Sequence, residues 1–244
     1  MDILYGRNPV LEALRAGRAA RKLVVAEGVH DDSRLKEILD AARQQGIRIE
    51  RSPRWRLDDI AHTEHHQGVA AYFHSRAQLR LDDLLAELRD PALLLVLDGI
   101  QDPQNLGAIV RTAEAADADG IVLSRHHATA VTPAAAKVSA GAIEHVRIAT
   151  VGNLSQALDA IAKAGIWRVG LDAAVGQRYD QCDYTAPVAV VVGAEGQGMR
   201  PLTKRHCDAL VRLPMLGRIA SLNAAASAAA VLYEVLRQRN FAQR

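Results

Sequence analysis

The chain has 244 residues, of which 49% are hydrophobic and 24% charged, so it can bury one large core or two modest ones. Thirty basic residues against 28 acidic ones leave a formal charge of +2, and net charge by itself selects no partner. Two cysteines cannot build a disulfide framework, and no apolar run approaches the ~18 residues of a membrane span. Because the N-terminus also lacks an export signal, we expect a cytoplasmic protein.

Residues 1–75 have the pattern of a small α/β domain. The predicted elements, in chain order, are a strand over 22–26, a helix over 34–43 and strands over 47–50 and 68–73. A polar segment without strong periodicity follows this pattern. We therefore predict a first domain over 1–75, a linker over 76–88 and a second domain over 89–244.

The second domain alternates strand and helix patterns. Residues 92–97 and 188–192 are continuous aliphatic runs, which are typical of strands buried on both faces of a parallel sheet. Between these runs, further short strands are predicted over 120–123, 146–149 and 167–171, and an alanine-rich helix over 222–237 ends the chain. The pattern predicts an α/β fold with a mostly parallel sheet.

Two groups of basic residues lie in the first domain. The groups are Arg15, Arg18, Arg21 and Lys22, and then Arg48, Arg51, Arg54 and Arg56 with Trp55 among them. Such a surface could bind RNA phosphates and stack a base, or it could be an ordinary solvated face with Asp58 and Asp59 as counter-charges. The sequence leaves both interpretations open.

Several familiar sites are absent from the sequence. Gly193 and Gly198 have Walker A spacing, but Met199 and Arg200 stand where lysine and serine or threonine are required. No dinucleotide-binding glycine pattern follows a strand, and no hydrolase nucleophile motif occurs. A histidine cluster, His62, His65 and His66, lacks metal-site spacing, so we expect a solvated loop there and no metal.

A first candidate site follows the strand over 92–97. Asn105 occupies a predicted helix N-cap position after a proline-containing loop, and Arg111 lies six residues further on, roughly 9 Å along the helix axis. Loops at the carboxyl ends of parallel strands commonly bind ligands. The segment alone does not distinguish this from a structural cap followed by a solvated arginine.

Two further segments carry unusual residues. After three valines, Glu195 lies among Gly193, Gly196 and Gly198, an arrangement that permits close backbone approach to a small polar ligand. In the other segment Ser221 is predicted to cap the closing helix. The alanines of that helix allow another helix to pack closely, either within one chain or between two chains.

The three segments together resemble the signature motifs of the SpoU (TrmH-like) family of RNA ribose 2'-O-methyltransferases. The residues that carry the resemblance are Asn105 and Arg111, then Gly193, Glu195, Gly196 and Gly198, then Pro214, Ser221, Leu222 and Asn223. One departure is Ala224, where the family more often has a larger aliphatic residue. Residues 1–75 resemble the small substrate-binding domain of the family, which has an L30e-like fold.

The resemblance implies a fold, a cofactor and an assembly. It implies a trefoil-knotted α/β methyltransferase domain, S-adenosyl-L-methionine as the cofactor, and a homodimer whose active site is shared between the two copies. The implied cofactor-binding residues are Gly193, Gly198, Leu213, Met215 and Leu222. The implied catalytic residues are Asn105, Arg111, Glu195, Ser221 and Asn223.

The resemblance is greatest to the members that methylate a guanosine ribose of 23S rRNA, so we expect 23S rRNA as the substrate. Two alternatives are a tRNA guanosine-2'-O-methyltransferase of the same family and a ribosome-associated RNA-binding protein without catalysis. Within the family reaction, Arg111 either removes the hydroxyl proton, although guanidinium rarely loses its own proton, or stays charged and stabilises the developing alkoxide. Both roles stay open, and we expect Arg111 to be essential by either route.

Overall fold

The computed structural model describes residues 1–125 and 132–241 of the chain. Contacts between residues divide it into two compact units. The first consists of Met1–Ala77 and Val131–His145, and the second of Gln78–Ala130 and Val146–Arg244.

Strands and helices alternate along most of the described chain. The strands are β1 (Asp2–Tyr5), β2 (Ala20–Ala26), β3 (Arg48–Ser52), β4 (Val69–Phe73), β5 (Leu93–Asp98), β6 (Gly120–Ser124), β7 (Ile148–Val151), β8 (Trp167–Leu171), β9 (Val188–Gly193) and β10 (Ala209–Val211). The helices are α1 (Arg7–Arg15), α2 (Ser33–Gln44), α3 (Arg54–Ala61), α4 (Leu81–Ala86), α5 (Pro103–Ala115), α6 (Pro133–Val138), α7 (Leu154–Lys163), α8 (Pro201–Arg205) and α9 (Ala224–Gln238).

The first unit contains a four-stranded sheet in the order β1-β4-β2-β3. Strands β2 and β3 are parallel, whereas β4 is antiparallel to both of its neighbours. On one face of β2, Val24 and Ala26 pack against Leu57 of α3. Helices α1 and α2 pack on each other and on the sheet. The predicted strands and helix of residues 1–75 are all present, with ends shifted by one or two residues.

One segment that the sequence assigned to the second domain belongs to the first unit. Helix α6 packs on β1 and α1, and a single helical turn over Ala142–Glu144 packs on α1. The buried carboxylate of Glu144 accepts hydrogen bonds from Arg18 Nη1 at 3.1 Å and Arg76 Nη2 at 2.9 Å. Because Glu144 finds both of its cationic partners in the first unit, the segment is held there despite its place in the chain.

The predicted linker over 76–88 is also more ordered than its polarity indicated. Residues 81–86 form α4, and Leu84 on this helix is fully buried in the core of the second unit. Leu81 and Leu85 of the same helix also pack against this core, so tertiary packing stabilises a short helix that periodicity over six residues could not reveal.

The second unit contains a six-stranded sheet in the order β10-β8-β9-β5-β6-β7, and every pairing in it is parallel. On one face of the sheet, α4 and α7 cover Leu94 and Val96. Helices α5 and α9 pack against each other, and α9 also packs against β9. The prediction of a mostly parallel α/β sheet is confirmed. The trefoil knot stays a prediction from the resemblance.

The strand order also marks a place for a ligand. From β5 the chain proceeds to β6 and β7 on one side, and the remaining strands lie on the other side with β9 next to β5. A crevice forms at the carboxyl ends of neighbouring strands where the order reverses in this way. This position lies at Asp98 and Gly193, which are register partners at the ends of β5 and β9.

Candidate active site

The loop that follows β9 is a tight turn built on glycine. Gly198 N donates to Ala194 O at 2.8 Å, and Gly196 and Gly198 have φ values of 78° and 65°, which favour glycine. A Cβ atom on Gly193 would lie 2.1 Å from the carbonyl carbon of Gly198. The end of β9 therefore accepts no side chain at Gly193, because the returning loop occupies that space.

A buried ion pair holds the far end of this loop. Asp98, at the end of β5, is 2% exposed. Its carboxylate accepts hydrogen bonds from Arg200 N at 2.9 Å and Arg200 Nε at 2.7 Å, and Arg200 Nη2 lies 2.6 Å from Asp98 Oδ1. Sequence reasoning missed this pair, although a carboxylate that ends an apolar strand and an arginine just after the glycine loop were both visible.

The first turn of α5 differs in detail from the sequence prediction. The N-cap is Asp102, whose carboxylate accepts a hydrogen bond from Gln104 N at 2.8 Å, and Pro103 takes the first helical position that suits proline. Asn105 is therefore inside the helix, not at its cap, and it is buried. Its side-chain amide is free to bind residues outside α5.

The cap of α9 also differs from the prediction. Asn223 Oδ1 accepts hydrogen bonds from Ala225 N at 2.9 Å and Ala226 N at 3.4 Å, so Asn223 is the N-cap. Ser221, predicted for that role, lies exposed two residues earlier. Asparagine and serine are similarly good caps, so local propensity could not decide between them.

Three distant segments meet in one hydrogen-bonded cluster. Asn105 Nδ2 donates to Glu195 Oε2 at 3.1 Å, and Asn223 Nδ2 donates to Asn105 Oδ1 at 2.7 Å and to Glu195 Oε2 at 3.3 Å. An ionised carboxylate only accepts hydrogen bonds, so it fixes the orientation of both amides. Glu195 Oε1 makes no hydrogen bond with the described residues. The cluster therefore presents one unused carboxylate oxygen.

Arg111 lies outside this cluster. Six residues along α5 correspond to a rotation of about 240°, so Arg111 and Asn105 are on different faces of the helix. Arg111 is exposed and has no hydrogen bond or ion pair to any residue within 1–125 or 132–241. Of the five predicted catalytic residues, a single chain thus brings together Asn105, Glu195 and Asn223.

A cavity of about 270 Å³ lies beside the cluster. All five predicted cofactor-binding residues line it, namely Gly193, Gly198, Leu213, Met215 and Leu222. Glu195 and Ser221 also line it, so two of the predicted catalytic residues share this space. Aliphatic side chains such as Leu171 and Val211 form part of the wall, and polar groups form the remainder.

An ion pair contributes two of those polar groups. Lys204 Nζ lies 2.7 Å from Asp172 Oδ2, and both residues line the cavity. The hydrogen bond from Lys204, together with one from Ala174 N at 3.0 Å, lowers the pKa of Asp172 below its ordinary value. Asp172 is therefore ionised at neutral pH and joins α8 to the end of β8.

Within the histidine cluster, His62 and His65 are exposed, as predicted for a solvated loop, but His66 is not. His66 is fully buried; its Nδ1 accepts a hydrogen bond from Gly68 N at 2.9 Å, so Nε2 carries the proton and donates to Asp58 Oδ1 at 2.8 Å. Asp58 therefore accepts a hydrogen bond from this histidine and is not a counter-charge of the basic surface.

In the described part of the chain no group of three or more His, Cys, Asp or Glu side chains could hold a metal ion. None of the helices described there is long and apolar enough to cross a membrane.

Comparisons with protein families identify both parts of the chain. Residues 92–233 match the model of the SpoU rRNA methylase family, and residues 3–79 match the model for RNA 2'-O ribose methyltransferase substrate binding. The chain belongs to the SpoU family and is an RNA 2'-O-ribose methyltransferase.

Individual relatives agree with this assignment. A Bacillus subtilis protein, provisionally named as a TrmH family tRNA/rRNA methyltransferase, is 41% identical over 98% of this chain and 96% of its own length. An uncharacterised tRNA/rRNA methyltransferase of Mycolicibacterium vanbaalenii is 45% identical over 99% of this chain and 78% of its own. The crystal structure of the SpoU methyltransferase AviRb from Streptomyces viridochromogenes, in complex with AdoMet, has a TM-score of 0.83 at 26% identity, covering 98% of this chain and 91% of that one.

S-adenosyl-L-methionine (AdoMet) is the cofactor of this family, and the cavity fits it. Sites for small molecules usually combine apolar walls with a few polar groups in roughly 300–1,000 Å³, and this cavity, at about 270 Å³, lies just below that range. Its aliphatic walls suit a flat base, and Glu195, Ser221 and the Asp172–Lys204 pair suit a charged tail. The glycine turn leaves backbone groups open to a ligand, since a Cβ at Gly196 or Gly198 would meet no atom within 4 Å.

Proposed function

We propose that the protein transfers a methyl group from AdoMet to the 2'-hydroxyl of a guanosine ribose in 23S rRNA. The observation that carries the proposal is the Asn105–Glu195–Asn223 cluster at the edge of the cavity of the second unit. The substrate-binding family of residues 3–79 supports an RNA substrate.

The residues of the site suit this reaction. The cofactor supplies an activated methyl group, so the protein has only to align the reactants and manage one proton. The two asparagine amides hold Glu195 in a single orientation, and Glu195 Oε1 is available to accept a hydrogen bond from the ribose or to balance the positive charge of the cofactor. Ser221, which lines the same cavity, is available to orient the sugar or the loop.

Arg111 enters the site, in this proposal, from a second copy of the chain. Within one chain it is exposed, lacks any bond among the described residues, and lies on a different face of α5 from Asn105. A homodimer that places Arg111 of one copy at the cavity of the other gives this charge a role. It would bind a phosphate and stabilise the alkoxide that develops on the 2'-oxygen.

A tRNA guanosine-2'-O-methyltransferase is the second candidate. The names of the two curated relatives include both tRNA and rRNA and therefore do not discriminate. The matched family is an rRNA methylase family, and this favours rRNA. An RNA-binding protein without catalysis is disfavoured, because such a protein has no need to retain all of Asn105, Arg111, Glu195 and Asn223.

In the test, the protein is incubated with methyl-labelled AdoMet and either deproteinised 23S rRNA or tRNA. The labelled ribose is then mapped. We expect label on one guanosine of 23S rRNA, resistant to alkaline hydrolysis at its 3' side. The matched control is Glu195→Gln, which keeps the size of the side chain and removes its charge. Label on tRNA alone contradicts the rRNA assignment, and wild-type protein that binds AdoMet but labels neither RNA contradicts the activity.

A further inference from the structure

A second cavity, of about 470 Å³, lies on the sheet of the first unit. Its wall has an apolar part and a cationic part. The residues that line it are Met1, Ile3 and Tyr72, and Arg21, Lys22 and Arg48. None of these residues belongs to the methyl-transfer site, which lies entirely in the second unit.

The register of the sheet explains why these side chains converge. Ile3 pairs with Tyr72, Tyr72 with Lys22, and Lys22 with Arg48, so four side chains form one row across all four strands. Simple alternation along β2 would send Arg21 to the opposite face from Lys22. A β-bulge between Ala20 and Lys22 inserts Arg21 as an extra residue, and such bulges redirect side chains. Arg21 and Lys22 consequently line the same cavity.

The charges in this cavity are only partly balanced. Glu50 Oε2 accepts a hydrogen bond from Lys22 Nζ at 3.1 Å, and Arg56 Nη1 lies 3.3 Å from the other oxygen of the same carboxylate. The hydrogen bond from Lys22, and the charges of Arg56 and Arg48, lower the pKa of Glu50 below its ordinary value, so one acidic side chain faces three cations. Arg21 and Arg48 form no hydrogen bond or ion pair with the residues that the structure describes, so their guanidinium groups are available to a ligand.

Other basic residues of the first unit differ in this respect. Arg15 is bonded to Glu12 and Glu37, and Arg18 to Asp2 and Glu144. The two basic groups of the sequence thus separate into arginines that stabilise the fold and arginines that remain available. Trp55 is 64% exposed on α3 but does not line the cavity, so Tyr72 is the aromatic residue there.

We propose that this cavity binds a single-stranded segment of the RNA substrate away from the methylated ribose, with phosphates on Arg21 and Arg48 and a base against Met1, Ile3 and Tyr72. The inference rests on the proposed function for the identity of the RNA. A nucleotide has the same two parts as the wall, a flat apolar base and an anionic phosphate, and arginine binds phosphate through two parallel N–H groups. The volume is in the range of sites that hold one small molecule.

The test compares the double variant Arg21→Ala/Arg48→Ala with a control, Lys36→Ala/Arg43→Ala. The control removes the same charge from the same unit, but at positions on α2 that do not line the cavity. Binding of a mixed-sequence single-stranded RNA of fixed length is measured over a range of salt, along with KM and kcat for 23S rRNA. Each single-strand phosphate contact contributes about 0.7 to the slope of log K against log salt.

For the cavity variant we expect a salt slope lower by about 1.4, an RNA affinity reduced about tenfold, a higher KM and little change in kcat. AdoMet binding should be unchanged in every variant, which reports an intact second unit. An equal loss of RNA affinity in the control variant would show a general effect of charge and would overturn the proposal. Unchanged RNA affinity in the cavity variant would also overturn it. If wild-type protein binds RNA but methylates none, the proposed function fails while this comparison still decides the role of the cavity.

Discussion

The two cavities of this molecule are built by different means. The cavity of the second unit is formed by loops from β9, β10 and the start of α9, and hydrogen bonds hold its polar residues in place. The cavity of the first unit is formed by a row of side chains on a sheet, and two of its arginines form no hydrogen bond or ion pair with the described residues. The first arrangement suits the alignment of reactants, and the second suits the binding of an anionic polymer.

This difference predicts different responses to substitution. A cavity held by a hydrogen-bonded network should fail steeply when one member is changed, because the partners are left unsatisfied. A cavity lined by several cations should lose RNA affinity gradually as each charge is removed.

Arg111→Ala should give the largest effect, a fall in methyl transfer of about a hundredfold to a thousandfold, as for loss of a group that stabilises transition-state charge. The thermal midpoint should not change, since the side chain is exposed and unbonded among the described residues. Single-turnover methylation and thermal unfolding measure the two quantities. Near-normal methylation would remove Arg111 from the site.

A mixture of Arg111→Ala and Glu195→Gln chains separates a shared site from a site within one chain. In heterodimers with a shared site, one of the two sites has both native residues. An equal mixture that exchanges subunits should then recover about a quarter of the wild-type rate. No recovery in a mixture shown to contain heterodimers would mean that the two residues act in the same copy.

Gly193→Ala should prevent the loop after β9 from closing, because the new Cβ would lie 2.1 Å from the backbone of Gly198. We expect destabilisation of about 1–3 kcal/mol and loss of AdoMet binding by calorimetry. Gly152→Ala is the matched control, since a Cβ there meets no atom within 4 Å. Normal AdoMet binding by the Gly193 variant would exclude this loop from the cofactor site.

Two substitutions of Asn223 distinguish its roles as a helix cap and as a member of the cluster. Asn223→Ala should lose both, with a stability cost of about 1 kcal/mol from the cap. Asn223→Ser keeps a cap but lacks the amide that binds Asn105 and Glu195. We expect similar losses of activity in the two variants and a loss of stability only in the first. Full activity in the serine variant would contradict a catalytic role for the amide.

The smallest effect should come from Asp172→Asn. The pKa of Asp172 is lowered, chiefly by Lys204, so its ionised form stabilises the folded state above the unfolded value of 3.8, and this contribution is lost as the pH falls through the lower folded value. For this partly exposed pair we expect a cost of about 1 kcal/mol at pH 7 that disappears in acid. Urea unfolding over a pH series measures it. A difference from wild type that persists in acid would contradict the ion-pair explanation.

Several parts of the structure could be predicted from local pattern alone. The helix predicted over 34–43 is present because its apolar residues recur at helical spacing and Asp32 caps it. The aliphatic runs that became β5 and β9 are central strands because only such runs fill both faces of a parallel sheet. The motif residues were recognisable because three short segments, in the expected order along the chain, match one family.

Other features depend on contacts that the linear sequence does not show. The cap of α9 could be assigned only from the hydrogen bonds that Asn223 Oδ1 accepts from Ala225 N and Ala226 N, since serine and asparagine cap similarly well. His66 appeared solvated in sequence, but Asp58 and Gly68 supply the hydrogen bonds that allow its burial. The bulge at Arg21 depends on the pairing of β2 with β4, which no property of β2 alone encodes.

Fold class, family and the chemical types in the candidate methyl-transfer site follow from periodicity and motif spacing, because these are local properties of the chain. Which of those residues come together depends on the folded arrangement. It united Asn105, Glu195 and Asn223, left Arg111 outside the cluster, tied the glycine loop to Asp98, and placed Arg21 and Arg48 in one cavity. Hydrogen bonds and register act between residues far apart in the chain, and the distances that control them are set only when the chain has folded.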